Sequence, residues 1–479
     1  MRIRDADLVA FVACLSGAAL LMPAHAQSLE QPSELPSANL TLTLEEAVAL
    51  ALRDNRDLRG LRMRRVLDRF DLFLAHRAYW PSGGVAVSAL RRKTDGFAAS
   101  EDWVVSPSIS WRSPVGTDAS IGWSRYEDLS GSGEVSENFS ANVRQPLLRG
   151  AGLDVNMAPL RQARIRAEQA RMDEEEAVAN LITQVTYSYR ALIQAQERLV
   201  LAKLSLERSR NLLSTNEAMI EAGRMAQADI VQTQSELANQ EVSLLETERA
   251  LHNSRTQLLS LLALDPSTPL LAVDEGEVVQ VQLEVEAAVE TALSQRRDLK
   301  SQRLNFEQLE IAEQLARNGR LWDVSLVAGY DRYSASTGFG DVSSHSVGVQ
   351  LNIPLGDFSS RRNLMGARTS LHTAKLNYQG QVERVEGQVR DAVADVRSRW
   401  HQLEAARRAR DLALRSLDIQ QERLQAGRAT NFEVLSLQNN LRSADAQALA
   451  ARMAYLNALT ALDQQMGRTL ETWQVSIER

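Results

Sequence analysis

Cysteine is almost missing from this chain: Cys14 is the single one in 479 residues, and it lies near the start. Disulfide staples and thiolate metal sites are therefore excluded as the basis of the fold, which must rest on packing. Long apolar runs are missing too. After Met22 no stretch approaches the ~20 consecutive apolar residues of a membrane-spanning helix, so entry into a bilayer would have to be by strands. Aromatics make up only 5% of residues, and basic and acidic residues, 54 against 61, are spread along the chain. That leaves no basic patch interleaved with aromatics, and nucleic acid is excluded as a partner. The histidines His76, His252, His345, His372 and His401 form no ligand-spaced cluster. Arg149-Gly150-Ala151-Gly152 lacks the third glycine of a dinucleotide fingerprint and reads as a tight turn. No catalytic constellation is visible, so neither an enzyme nor a cofactor is expected.

What is present begins with a leader. Arg2 and Arg4 precede an apolar run from Leu8 to Met22 and then Pro23-Ala24-His25-Ala26. This is the pattern of a secretory signal peptide over residues 1–26, with the mature chain starting at Gln27. An alternative is lipoprotein cleavage before Cys14, in Phe11-Val12-Ala13-Cys14. It leaves a very short apolar stretch before the cysteine and puts Phe11 where a smaller aliphatic is usual.

The chain is internally duplicated. Glu46-Ala47-Val48-Ala49-Leu50-Ala51-Leu52 and the Arg53-Asp54-Asn55-Arg56-Asp57-Leu58 that follows match Ala287-Ala288-Val289-Glu290-Thr291-Ala292-Leu293 and Ser294-Gln295-Arg296-Arg297-Asp298-Leu299. Farther on, Glu221-Ala222-Gly223-Arg224-Met225-Ala226 matches Gln425-Ala426-Gly427-Arg428-Ala429-Thr430, and the register continues through Gln234 with Gln438 and Asn253 with Asn457. A first repeat over 27–264, a linker over 265–283, a second repeat over 284–467 and a tail over 468–479 are expected.

Each copy carries a seven-residue apolar period. It reads Val178, Val185, Leu192, Leu199, Leu206, Leu213 and Ile220, with Leu181, Ser188, Ala195, Ala202 and Ser209 as the companion seam. In the second copy it reads Val382, Val389, Val396, Leu403, Leu417 and Leu424, broken by Arg410. Return series run through Ile230, Leu237, Leu244, Leu251 and Leu258, and through Val434, Leu441, Ala448, Tyr455 and Leu462. Such periods imply left-handed coiling of helix pairs. A helix from Met157 to Ala222 would be roughly 100 Å long, against about 60 Å for a return helix from Ala226 to Leu264. A short helix, Arg56 to His76 in one copy and Arg297 to Ala316 in the other, would make up the difference.

Between these helices the period drops to two, the mark of strands. His345-Ser346-Val347-Gly348-Val349-Gln350-Leu351-Asn352-Ile353 alternates, as do Val324, Leu326, Ala328 and Tyr330 with their neighbours. Strands are expected at about 323–353 and at about 85–145, where Ala119-Ile121-Trp123 and Phe139-Ala141-Val143 alternate. Segments of this length suit a bilayer crossing in a closed barrel whose aromatics sit at the headgroups.

The duplicated helix-strand-strand-helix order resembles the TolC family of outer-membrane efflux proteins. So do the start Leu44-Glu45-Glu46-Ala47-Val48-Ala49-Leu50-Ala51-Leu52, the strand exits Arg144-Gln145-Pro146-Leu147-Leu148-Arg149-Gly150 and Leu351-Asn352-Ile353-Pro354-Leu355-Gly356, and the paired Ala-Gly-Arg turns. The resemblance covers nearly all of the mature chain. It implies a mainly α fold with β: a homotrimer in which each chain gives four strands to a shared twelve-stranded transmembrane barrel and its helices to a long α-helical barrel in the periplasm. It also implies a periplasmic adaptor, an inner-membrane transporter of the RND or ABC class, and outer-membrane lipid as partners. Two departures stand out. Arg56 and Arg297 replace the usual Pro of the opening helix, and the first strand region is long enough for an extra hairpin.

By the same resemblance, Gly223, Arg224, Met225 and Ala226, with Gly427, Arg428, Ala429 and Thr430, form periplasmic tips that dock the adaptor. Glycine at 223 and 427 also suits a plain helix C-cap. Glu433 matches the first of two acidic residues that ring the tunnel entrance, with Ser436 in place of the second, and Asp229 matches an acidic latch position. Leu424 stands where the latch has a tyrosine. The expected function is that of the outer-membrane channel of a tripartite efflux pump or a type I secretion system, a passive conduit from periplasm to exterior opened by the adaptor. A periplasmic coiled-coil scaffold outside the membrane is the alternative from another class.

Overall fold

The computed structural model describes residues 40–93, 95, 99–130, 134–223, 226–227, 229–274, 276–336, 340–356, 358–426 and 428–476. The leader, Cys14, Arg224, Met225 and Gly427 lie outside the described residues, and Asp229 is described by its backbone alone.

Strand β1 (Leu40–Leu42) leads into α1 (Leu44–Asp54) and α2 (Arg56–Arg77). A capping box starts α1: the Thr43 amide donates to Glu46 Oε2 at 2.8 Å, and the Glu46 amide donates back to Thr43 Oγ1 at 3.3 Å. Asn55 ends α1 in an extended conformation, and its Oδ1 then accepts the amides of Asp57 and Leu58 to start α2. Four strands follow: β2 (Ser82–Arg92), β3 (Ser100–Arg112), β4 (Asp118–Asp128) and β5 (Val135–Pro146). After the one-turn α3 (Leu153–Asn156) comes α4 (Ala158–Glu221), unbroken over 64 residues, and its return helix α5 (Asp229–Leu261).

A second pass begins after β6 (Leu270–Ala272). It comprises α6 (Val285–Gln295), α7 (Arg297–Asn318), β7 (Asp323–Ala335), β8 (Val342–Asn352), the 67-residue α8 (Ser359–Gln425), α9 (Asn431–Met466) and the short α10 (Thr469–Thr472). Arg296 breaks the helix between α6 and α7 with the dihedrals −57° and 127°, matching −57° and 128° at Asn55. The duplication therefore extends to the backbone of the break.

The heptad series become the helix seams. Val178, Val185 and Leu192 of α4 are buried with Leu258 and Leu259 of α5 and with Leu262 just past its end, and Val389, Val396 and Leu403 of α8 are buried with Tyr455 and Leu462 of α9. A fully buried side chain of this kind contributes about 1.5–3 kcal/mol. Arg410, the polar interruption in the α8 series, is answered by Asp445 of α9 at 2.9 Å. Near mid-height β1 and β6 pair in parallel. The buried Tyr189 of α4 fixes them there: the carbonyls of Leu42 and Val273 share its one hydroxyl proton at 2.8 and 2.7 Å, and its oxygen accepts the Val273 amide at 3.0 Å.

The other sheet corrects an expectation. It has six strands, in the order β2-β3-β4-β5-β7-β8, all antiparallel. The long first strand region is two hairpins rather than one, so among the described residues the chain supplies six strands to this sheet, not the four that the resemblance implies. The reason lies in that region itself: Ser113 to Thr117 form a tight turn closed by the Ser113 amide on the Thr117 carbonyl at 2.8 Å, which folds β4 back along β3.

Candidate channel wall and helical tips

Residues directly opposite one another in a ladder share a face of the sheet. On one face this sheet places Val85 and Val87 of β2, Val105 and Ile109 of β3, Ile121 and Trp123 of β4, Phe139 and Val143 of β5, Leu326 and Tyr330 of β7, and Val347, Val349 and Leu351 of β8. The opposite face carries Ser106, Ser108, Ser120, Gly122, Asn138, Ser140, Asn142, Gly329 and Ser346. The apolar face is not packed into a core: Val347 is 80% exposed and Val349 67%. A soluble sandwich would bury this face, whereas a barrel wall turns it to lipid and its polar face to a water-filled lumen. On this face Phe139 lies edge-on to Tyr330, with ring centroids 6.1 Å apart, and Tyr330 stacks on His345 at 6.2 Å.

The junction that seats this wall on the helices is densely bonded. Arg144 and Arg149 both reach Asp323 at 2.9 Å, tying β5 and the turn after it to β7. Gly150 and Gly152 turn the chain from strand to helix with φ of +82° and +93°, and Asn156 Nδ2 donates to both of their carbonyls. The Tyr79 hydroxyl donates to the Asn156 carbonyl, and Trp111 Nε1 donates to the Tyr79 carbonyl at 3.0 Å.

At the far end of the long helices lie the tips. In the first, Gly223 closes α4 with φ of +69°, Ala226 is exposed, and α5 begins at Asp229. In the second, the Arg428 amide reaches back to the Arg423 carbonyl at 2.8 Å. Thr430 and Glu433 form a second capping box: the Thr430 amide donates to Glu433 Oε2 at 2.9 Å and the Glu433 amide donates to Thr430 Oγ1 at 3.3 Å. Gln420 of α8 adds a bond to the same carboxylate at 2.9 Å. The Thr430 backbone bond, then its hydroxyl, holds the Glu433 carboxyl below its ordinary pKa. Glu433 is therefore an exposed anion with a structural duty of its own. Leu424 is buried with Leu212, Leu417, Val434 and Leu435, so the two tips share one small core in which Ala429 is partly buried.

Sequence reasoning missed a buried polar triad just inside the tips. Asn216 of α4 donates to Thr233 Oγ1 of α5 at 2.8 Å and to Asn431 Oδ1 of α9 at 2.9 Å, and Asn431 Nδ2 donates to Thr233 at 3.0 Å. All three are buried, and Asn216 Oδ1 has no partner among the described residues. A signal was available: Asn216 follows Ser209 by seven in the companion seam, and a polar residue there specifies register at a cost in stability.

Long helix pairs continued by a sheet with one lipid-suited face define a class, the helical-barrel and β-barrel channels. The chain matches the model of the family Outer membrane efflux protein over residues 114–264 and 288–468. It belongs to that family and is an outer-membrane efflux channel, not a coiled-coil scaffold outside the membrane. No curated protein sequence matches it. Solved structures share the fold at low identity. The outer-membrane channel OprN is 18% identical, with 90% of this chain and 91% of that one covered at a TM-score of 0.68. The outer membrane protein VceC of Vibrio cholerae is 16% identical, covering 88% and 96% at 0.67. The CmeC outer membrane channel of Campylobacter jejuni is 17% identical, covering 89% and 86% at 0.68.

Proposed function

We propose that three copies of this chain form a passive conduit whose helical barrel stands in the periplasm. A periplasmic adaptor opens it at the tips, and an inner-membrane transporter of the RND or ABC class drives export through it. The observation that carries this reading is the sheet: a continuous apolar face across six strands, with both edge strands unpaired among the described residues. Such a sheet is completed only by lipid on the face and further strands at the edges.

In this reading Gly223, Arg224, Met225, Ala226, Gly427, Arg428, Ala429 and Thr430 meet the adaptor, Asp229 helps to latch the closed tip, and Glu433 forms a ring of three carboxylates at the entrance. Such a ring attracts cations. Glu433→Gln removes the charges but keeps an oxygen for the Thr430 amide, so the tip stays capped. In planar bilayers this variant should lose cation preference and show weaker block by multivalent cations. Unchanged selectivity and block would place Glu433 away from the lumen and sink the entrance assignment. Membrane fractionation and the mass of the detergent-solubilised particle test the trimer.

A further inference from the structure

We infer that the barrel closes with eighteen strands rather than twelve: three copies join their six-stranded sheets β2 edge to β8 edge, and the β3–β4 hairpin is added wall. This rests on the trimeric channel reading and goes beyond it in fixing the width of the exit.

The hairpin is built as wall, not as a lid. Its lipid-side residues Val105, Ile109, Ile121 and Trp123 lie on the same face as Val87 of β2 and Phe139 of β5, and its other side shows Ser106, Ser108, Ser110, Ser120 and Ser124. A lid over the barrel mouth would have no reason to keep this alternation in register with both neighbours.

The apolar band also drifts across the ladder as a closed barrel requires. Followed through the pairing, Val349 in mid-band on β8 is level with Gln145 of β5, whereas Val87 in mid-band on β2 is level with Glu137, eight residues away. Over five strand-to-strand steps that is roughly 27 Å along the strands against roughly 24 Å across them. The bilayer plane thus cuts the ladder at about 45°, the tilt of strands in barrels. The drift runs through β3 and β4 without a step, so the membrane crosses all six strands. The charges on this face lie on the strand-tip side of Ala89, Trp123, Phe139 and Tyr330 and are paired: Arg125 with Glu127 and Glu137, Arg91 with Glu101, and Arg332 with Asp341.

Six strands are too few to close alone, since about eight leave room only for side chains. Three sheets of six give eighteen, and because diameter grows roughly in proportion to strand number, the bore is about half again as wide as twelve strands allow. Small residues on the lumen face of the hairpin, Ser108, Ser110, Ser120 and Gly122, leave that bore open. The exit is then of porin width while the helices below keep the gauge of the tunnel.

Two measurements test this. On the full chain in a Cys14→Ser background, cysteines at Val87 or Ala89 paired with Val349 or Leu351 should cross-link copies into a three-chain ladder on oxidation, and electron cryomicroscopy of the solubilised trimer should show eighteen strands. A variant lacking residues 99–133, which rejoins β2 to β5 through the native loop 93–98, should form a barrel about a third narrower. Outer-membrane trimers with twelve strands and β3–β4 lying outside the wall would overturn the proposal and leave the channel reading intact. An unchanged diameter in the deletion variant would overturn it too. Protein that is neither trimeric nor in the outer membrane would overturn both. If the deletion variant does not fold, the strand count in the full chain decides.

Discussion

The joint between short and long helix is built twice in this molecule from different chemistry. In the first repeat Arg65 of α2 meets the buried Glu174 of α4 at 2.5 Å, with Arg62 at 3.6 Å. The repeat registers carry Arg65 to Phe306 and Glu174 to Tyr378, and those two rings meet edge-on with centroids 5.4 Å apart. The place of the contact is thus a property of the duplicated frame, and the chemistry filling it is exchangeable. The tips differ in the same way. Thr430 caps α9, but its counterpart Ala226 has no side-chain oxygen, and α5 starts at Asp229, the counterpart of Glu433, rather than two residues earlier.

The largest expected effect separates the two joints. Arg65→Ala strands the Glu174 carboxylate in a buried site and should cost about 3–5 kcal/mol, less whatever Arg62 recovers. Thermal unfolding of the trimer measures it, and a change within noise would show that water already reaches Glu174. Replacing both partners with those of the second repeat, Arg65→Phe with Glu174→Tyr, should be neutral or stabilising. A large loss in that double variant would mean that the two joints differ in shape, not only in chemistry.

At the tips, Thr430→Ala makes the second resemble the first and should cost about 1 kcal/mol, with faster amide exchange in the first turn of α9. Ala226→Thr should slow exchange at the start of α5, because Asp229 already stands three residues on. Equal exchange at the two native tips would remove the distinction.

Acid should narrow the same difference. The Glu433 carboxyl is held low by Thr430, so the capping box contributes above the ordinary glutamate pKa of about 4.3. That contribution is lost as pH falls through the lowered value. Exchange at α9 should therefore accelerate toward pH 3 while α5, whose Ala226 offers no hydroxyl in the place of Thr430, changes less. The smallest effect concerns Asp463 of α9, whose carboxyl is raised by burial, then opposed by Arg468 and Thr472. Its counterpart in the first repeat is the buried Leu259. Because the folded pKa is raised, stability is greatest with the group protonated and falls as pH rises through that value. Asp463→Asn should raise the melting temperature slightly at pH 7 and leave it unchanged at pH 3.

Much of this was legible in the sequence. The heptads gave the seams at Val185, Leu192, Val389 and Val396, and the alternation at Val347 to Leu351 gave the lipid face. The tip residues Thr430 and Glu433 were found by resemblance, but the capping role of Glu433 was not, although Thr430-Asn431-Phe432-Glu433 has the spacing of a capping box. The length of the region at 85–145 showed room for an extra hairpin but not which segments form it, because Pro107 interrupts β3: the β3–β4 pairing passes from Val105 to Ser108 across it. Arg65 and Glu174 gave no signal, since charged residues 109 apart in sequence carry no mark of being neighbours.

The sequence by itself determined which segments are helix and which are strand, the face each one buries, and the fact that the unit occurs twice. Those are local properties, set by the period with which apolar side chains recur along the chain. Only the tertiary structure decided strand number and order, the Asn216, Thr233 and Asn431 triad, and which charges meet. A period tells a residue which way to face but not what it will find there, and that is settled by long-range closure of the chain, where β5 pairs with β7 across almost two hundred residues.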